Sequence, residues 1–189
     1  MAKQDTQSIG LLRPMANQDL EMVLEWRNAP KVRENMYTQQ VISLNEHQNW
    51  WARVKDSDNA KYLIFEVDGV PTGFVSFTSV DLDHKTAEWA FFASSTAVRG
   101  TGSKMELLAL DFAFSNLGLN KLNCEVLAFN TGVISLHKKF GFLEEGVFRD
   151  HKKLGGTFID VYRLAIFATQ WQDIRPKIID NMSRRTPHA

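Results

Sequence analysis

Val98-Arg99-Gly100-Thr101-Gly102-Ser103-Lys104 is the stretch whose reading decides the fold. An apolar run from Glu88 to Ala93 precedes it and an amphipathic run from Met105 to Leu117 follows, which spells strand, glycine-rich turn, helix. Such a turn aims several unpaired backbone N–H groups at one spot, and the positive end of the helix dipole faces the same way. That spot suits a pyrophosphate. The sequence therefore predicts a nucleotide-like cofactor held at residues 98–104.

Downstream, Met105, Leu108, Ala109 and Phe112 keep the i, i+3, i+4, i+7 spacing of a buried helix face, with Gly118 placed to end it. Leu122, Cys124 and Val126 alternate with Asn123, Glu125 and Leu127, so the next strand has one aliphatic face and one mixed face. Glu125 is expected there among apolar neighbours. A helix over about 131–140 turns Val133, Leu136, His137 and Phe140 inward, with Gly141 beyond its end. Leu143 to Ile166 reads as two strands joined at Gly155-Gly156, followed by a short helix holding Trp171.

Upstream, Leu11-Leu12-Arg13-Pro14 reads as an opening strand, and Asn17 is placed to cap a helix whose Leu20, Val23, Leu24 and Arg27 share a face. Ser43-Leu44-Asn45-Glu46 is a capping box, and its helix stacks Leu44, His47, Trp51 and Val54 on one side. Tyr62 to Val67 and Val70 to Val80 flank Asp68-Gly69, the pair a tight hairpin turn favours, and Thr86 to Ala93 makes the next strand. Helices set between strands, with hairpins at both ends, predict an α/β (α+β) fold with a mixed sheet. One domain is expected over 11–178, between flexible ends at 1–10 and 179–189.

The 189 residues, 44% of them hydrophobic and 23% charged, suffice for one domain with a proper core. Lys+Arg and Asp+Glu both number 22, so no overall field draws the chain to nucleic acid or anionic lipid. The lone Cys124 excludes an internal disulfide and a multi-cysteine zinc site, and no metal is expected. No leading apolar stretch is long enough for a signal peptide or a membrane span, so a cytoplasmic setting is expected.

Arg99-Gly100-Thr101-Gly102, followed by Asn130 and then Ser135-Leu136-His137-Lys138-Lys139-Phe140-Gly141-Phe142, resembles the GNAT superfamily of N-acetyltransferases over roughly Leu11 to Ile166. The resemblance implies a central mixed, mostly antiparallel sheet with a splayed strand pair and flanking helices. It implies acetyl-CoA as acetyl donor, contacted by Phe91, Phe92, Ala93, Val98, Arg99, Gly100, Thr101, Gly102, Ser103, Lys104 and Asn130. A homodimer is a candidate assembly, because many relatives of this fold pair. Lys104 stands where the family pattern ends in glycine or alanine, and His137 where many members carry tyrosine.

Within the family, Trp26-Arg27-Asn28, Val32-Arg33, Met36-Tyr37, Ile42-Ser43-Leu44, His47 and Trp50 resemble the sugar-nucleotide acetyltransferases of the pseudaminic acid pathway. Those enzymes acetylate the 4-amino group of a UDP-linked 4-amino-4,6-dideoxy sugar. By that resemblance Arg27 and His47 face the nucleotide phosphates, while Met36, Tyr37, Trp50 and Phe92 wall the sugar. Cations suit a diphosphate and an apolar wall suits a deoxy sugar's methyl group.

The implied mechanism is direct aminolysis of a thioester in a ternary complex. A base must take a proton from the amine, directly or through water, and Glu125 is the candidate. Backbone N–H groups around Phe91 to Ala93 would stabilise the oxyanion. His137 either protonates the leaving thiolate or is a hydrogen-bonded core histidine. Two rival functions stay open: acetylation of ribosomal protein N-termini or a polyamine by the same fold, which Glu144-Glu145-Gly146-Val147-Phe148-Arg149 also resembles, and a catalytically silent module that binds coenzyme A. A polyamine or basic-peptide site should be lined by carboxylates, a UDP-sugar site by Arg, His and aromatics. A Rossmann domain fits less well, because the full Gly-x-Gly-x-x-Gly is missing.

Overall fold

The computed structural model describes residues 9–184. Seven strands form one sheet: β1 (Leu11–Pro14), β2 (Lys61–Val67), β3 (Val70–Asp81), β4 (Thr86–Ala93), β5 (Lys121–Leu127), β6 (Leu143–Leu154) and β7 (Thr157–Phe167). Their order is β1-β2-β3-β4-β5-β7-β6, antiparallel throughout except for β4 beside β5. The β2–β3 turn takes positive φ at both Asp68 and Gly69, and Gly155 and Gly156 do the same between β6 and β7. These are the conformations a two-residue hairpin needs to match strand twist.

Helices α1 (Leu20–Asn28), the single turn α2 (Pro30–Arg33) and α3 (Leu44–Val54) come before β2 in the chain. Helices α4 (Thr101–Asp111), α5 (Thr131–Lys139) and α6 (Ala168–Arg184) follow β4, β5 and β7. The sheet separates two cores, and strand alternation decides which side chain serves which. On one side Phe65, Phe77, Trp89, Leu122, Cys124 and Val126 pack with Met105 and Leu110 of α4, Phe140 just after α5, and Trp171 of α6. On the other, Ile64 and Phe74 pack with Val23 and Trp51, bordered by Tyr62 and Phe92.

Only Thr86, Ala87 and Glu88 of β4 pair with β5, opposite Lys121, Leu122 and Asn123. Beyond that point the strands part, leaving a wedge between Trp89–Ala93 and Cys124–Leu127. The splayed pair is present.

Several local expectations are corrected. Asn17 caps no helix: its Oδ1 accepts from Trp51 Nε1 at 2.7 Å, while Asp19 takes the Ala16 N–H at 2.8 Å. The Ser43 capping box forms as read, but Leu44, at 41% exposure, leaves the buried stripe of α3. The helix after the glycine turn changes to π geometry at Phe112–Asn116, and Glu106, Leu107 and Leu110 join its buried side. The C-terminal helix is 17 residues, not short. Ile178 is buried and Ile179 and Met182 pack on the core, so residues 179–184 of the expected loose tail are helical. Of the expected flexible ends, residues 1–8 and 185–189 lie outside the described residues.

Candidate active site

Gly100 is the N-cap of α4 with φ +97°, a left-handed conformation that glycine adopts without strain. A Cβ there would meet no atom within 4 Å, so that side of the turn is open. Thr101 ties the turn to Val98 O through both its N–H (3.2 Å) and its hydroxyl (2.8 Å), and Lys104 N–H donates to Gly100 O. The N–H groups of Gly102 and Ser103 have no backbone acceptor among the described residues. An open turn with helix N-terminal amides to offer fits the diphosphate of coenzyme A. Gly102 has a packing role as well, because a Cβ on it would reach Leu136 and Phe91 at 3.4 and 3.7 Å. Lys104 puts a cation in the first turn where the family has a small residue, and Val98 and Arg99 are exposed beside it. Asn130 caps α5 by accepting from Val133 N–H at 3.4 Å, at the far side of the wedge.

The wedge also orders the expected oxyanion donors. Ser94 N–H donates to Thr72 O at 2.9 Å, and Phe92 stands opposite Phe74 in the same register. Because antiparallel ladders alternate, Phe92 turns its N–H toward β3 while Phe91 and Ala93 turn theirs toward the wedge. Two of the three expected amides are therefore placed for a carbonyl oxygen entering between β4 and β5.

On the α1–α3 side lies a cavity of about 410 Å³ lined by Val23, Arg27, Thr38, Ile42, Glu46, His47, Trp50, Phe74 and Phe92. Arg27 Nη2 donates to Thr38 O at 2.8 Å, leaving Nη1 buried without a partner. His47, 5% exposed, has an unpartnered Nε2 and stacks on Trp50 at 5.0 Å. Burial, and secondarily Arg27, holds His47 below the ordinary histidine range, although a hydrogen bond to the Leu20 backbone works the other way. Burial and then Arg33 lower Arg27 as well. Arg27 Nη1 is an unpaired buried donor and His47 Nε2 becomes one on protonation, and two such groups beside aromatic walls suit an anion.

Met36 and Tyr37 fall outside that lining. Tyr37 O–H donates to Glu125 Oε2 at 2.6 Å, and Lys152 Nζ lies 4.3 Å from the centre of the Tyr37 ring. Glu125 is held by polar partners rather than set among apolar groups: its Oε1 is 3.5 Å from Arg163 Nη1, and its side chain is 30% exposed. Arg163 in turn grips Glu88 through both oxygens. Glu88, Glu125 and Arg163 come from three adjacent strands, β4, β5 and β7, and meet on one face at the mouth of the wedge.

His137 lies on the opposite face, 2% exposed, with Nδ1 2.8 Å from Glu106 Oε1 and the rings of Trp89, Phe91 and Phe142 at 5.3, 6.0 and 4.9 Å. Burial opposes its charge, yet Glu106 and then Cys124 outweigh that and push it up to about 10. Burial lifts the Glu106 carboxyl too, with His137 opposing that shift. The ring is thus buried and engaged by Glu106, as a hydrogen-bonded core histidine would be.

The sequence singled out neither Glu106 nor Glu88, Thr38, Phe74, Lys152 or Arg163. Glu88 was within reach, since it alternates with Ala90 and Phe92 in one strand. Arg163 becomes a partner of Glu125 only through the β5–β7 register, which no local pattern states. Among the described residues no group of three His, Cys, Asp or Glu is disposed to hold a metal, and no helix is long and apolar enough to cross a membrane.

A wedge between parallel strands, opposite a glycine turn, defines an acyltransferase fold that takes its acyl group from a coenzyme A thioester. The family model for the acetyltransferase (GNAT) domain matches residues 11–143, and this chain belongs to that family. It is an acetyl-CoA-dependent N-acetyltransferase. It is 25% identical over 161 residues to spermidine N(1)-acetyltransferase of Escherichia coli K12, covering 85% of this chain and 87% of that one. It is also 25% identical over 126 residues to acetyltransferase PseH of Campylobacter jejuni strain 81-176, covering 67% and 78%. Vibrio cholerae spermidine N-acetyltransferase, solved with CoA and spermine, superposes with a TM-score of 0.82 at 21% identity, covering 86% of this chain and 98% of that one.

Proposed function

We propose that this enzyme acetylates the 4-amino group of a UDP-linked 4-amino-4,6-dideoxy sugar, by direct aminolysis within a ternary complex in the cytoplasm. The observation that carries the reading is that two residues lining one aromatic cavity, Arg27 and His47, each hold an unpartnered buried nitrogen, Nη1 and Nε2. A diphosphate would pair with Arg27 and with His47 once its ring is protonated. The similarity to PseH agrees with it. The polyamine alternative draws on the spermidine acetyltransferase relatives, but the cavity speaks against it: its one carboxylate, Glu46, is occupied by Ser43 N–H and hydroxyl. A polycation would instead meet Arg27.

Acetyl-CoA supplies the electrophilic carbonyl. Phe91 and Ala93 N–H groups would stabilise its oxyanion, Glu125 would collect the amine proton, and the residues around Gly100 would hold the diphosphate arm. Cys124 is buried in the opposite core, which agrees with transfer without an acyl-enzyme. The thiolate leaves without help from His137.

The deciding assay measures thiol release from acetyl-CoA with a UDP-linked 4-amino-4,6-dideoxy sugar, spermidine and a basic peptide offered in turn. Release with the sugar nucleotide alone is expected; release with spermidine alone refutes the proposal. Arg27→Ala is expected to weaken sugar-nucleotide binding by about 10- to 100-fold, the cost of one charge-assisted hydrogen bond, with coenzyme A affinity nearly unchanged. Equal losses for both ligands would remove Arg27 from the acceptor site.

His47 supplies a second prediction. Its Nδ1 side is turned to the Leu20 backbone, so in the neutral ring Nε2 is an acceptor and must gain a proton to meet a phosphate. Because the free ring is held below the ordinary range, it is neutral at pH 7 and sugar-nucleotide binding should take up a proton. Calorimetry at pH 7 in two buffers of different ionisation enthalpy should show uptake, with affinity falling as pH rises. Buffer-independent heats would contradict a phosphate at His47.

A further inference from the structure

Tyr37 was expected only to wall the sugar, yet its ring lies outside the cavity lining and its hydroxyl is engaged with Glu125 Oε2 at 2.6 Å. Three separate parts of the chain hold it there. The loop after α2 carries it, with Thr38 next in sequence lining the acceptor cavity and bound to Arg27. Glu125 reaches it from β5 at the wedge. Lys152 covers its ring face at 4.3 Å from β6, at the point where the β6–β7 register shifts between Phe148 and Lys152. Tyr37 thus links, through its chain neighbour Thr38 and its own hydroxyl, the edge of the acceptor cavity to the carboxylate at the wedge.

We propose that Tyr37 is a proton relay: the acceptor amine delivers its proton to the Tyr37 hydroxyl oxygen while the hydroxyl passes its own proton to Glu125 Oε2. The proposal rests on the aminolysis reading, with Glu125 as final base. The balance is complete without any further reactant. The neutral amine's lone pair forms the C–N bond, one N–H bond breaks, and its proton goes to Tyr37 Oη. The original Tyr37 O–H proton moves to Glu125, and the C–S bond breaks with its electron pair leaving on sulfur. Products are the amide, the thiolate and a protonated Glu125, with the phenol regenerated.

Three physical points favour a relay over direct transfer to Glu125. Glu125 Oε2 is already engaged by the phenol, so an amine reaching that oxygen directly must compete with a short charge-assisted bond. The ammonium of Lys152 over the ring stabilises negative charge on the phenol oxygen as the proton crosses. Finally, burial and then the Glu125 carboxylate hold the phenol well above its ordinary range, with Glu88 adding to this and Arg163 opposing it. Tyr37 therefore keeps its proton at working pH and serves as a conduit, not as the base itself.

Tyr37→Phe isolates the hydroxyl, because phenylalanine keeps the ring as a wall and keeps its face toward Lys152. Single-turnover acetyl transfer is measured with whichever acceptor of the panel above the native enzyme uses. The expected result is a rate about 10- to 100-fold lower, with acceptor and acetyl-CoA affinities within about threefold of native. In mixed H2O and D2O, the native proton inventory should be bowed, as two moving protons require, and that of Tyr37→Phe linear. An unchanged rate, a loss confined to acceptor affinity, or the same inventory in both proteins overturns the relay. Failure of the function is separately visible: native enzyme that turns over spermidine and not the sugar nucleotide refutes the sugar reading and still tests Tyr37. No release with any acceptor refutes both.

Discussion

Glu125→Gln is expected to lower acetyl-transfer turnover by about 10²- to 10⁴-fold, the usual range for losing a positioned general base, with acetyl-CoA affinity within about threefold of native. Glutamine keeps the shape of the side chain and can still accept from Tyr37, so the phenol bond at 2.6 Å has a substitute. Arg163 loses its weaker contact at 3.5 Å but keeps its two-point grip on Glu88, so no buried charge is left bare and the fold should stay intact. What glutamine cannot do is end the proton's path. Rapid-quench single turnovers with saturating acetyl-CoA measure the step directly. Near-native rates would remove Glu125 from the chemistry and leave Glu88, one strand away, as the only other carboxylate of this cluster.

What the sequence showed and hid follows from the range of each interaction. Gly100, the Asp68-Gly69 turn and the Ser43-Glu46 box are local devices, each set by a few consecutive residues, and all three appear as read. The acceptor cavity was half legible. Arg27, His47 and Trp50 line it, but nothing in a helical stripe says that one nitrogen on each of Arg27 and His47 lacks a partner. The environment of Glu125 departs from the local pattern for a definite reason. Alternation along β5 put it beside Asn123 and Leu127 on one face, while the groups that hold it, Tyr37 and Arg163, lie 88 and 38 positions away in the chain. Asn17 shows the reverse error. A good capping residue at the right place was recruited by Trp51 Nε1, and Asp19, at the N-cap of α1, turns its carboxylate back to Ala16 N–H and Arg13. Local propensity lost to a tertiary hydrogen bond.

The same limit explains Glu106, a carboxylate within the apolar run Met105 to Leu110 whose partner is 31 residues away. Replacing either member of the pair, by Glu106→Leu or His137→Phe, is expected to destabilise the protein by about 3–5 kcal/mol, because the survivor keeps a charge or an unmet hydrogen bond in a closed core. The double variant Glu106→Leu/His137→Phe should recover much of that loss, since two apolar side chains leave nothing unpaired. The pair also sets a pH signature. Unfolded, His137 loses its proton near the ordinary value; folded, it keeps it up to about 10, so the stabilisation is fully present below about 6.5 and is lost as pH rises toward 10. The raised Glu106 acts in the same direction, since the folded pair binds the extra proton. Native melting temperature should therefore fall from pH 7 to 9.5, by roughly 4–10 °C for a chain of this size. Denaturant and thermal melts of the four proteins across that range check both claims. A double variant no more stable than the singles, or one that keeps the native alkaline slope, would show that the two residues do not act as a pair. Acetyl transfer adds the functional half of the test. His137→Phe should keep its rate wherever it remains folded, and a rate loss of about 10-fold or more at full occupancy of the native state would restore the histidine to the role of acid.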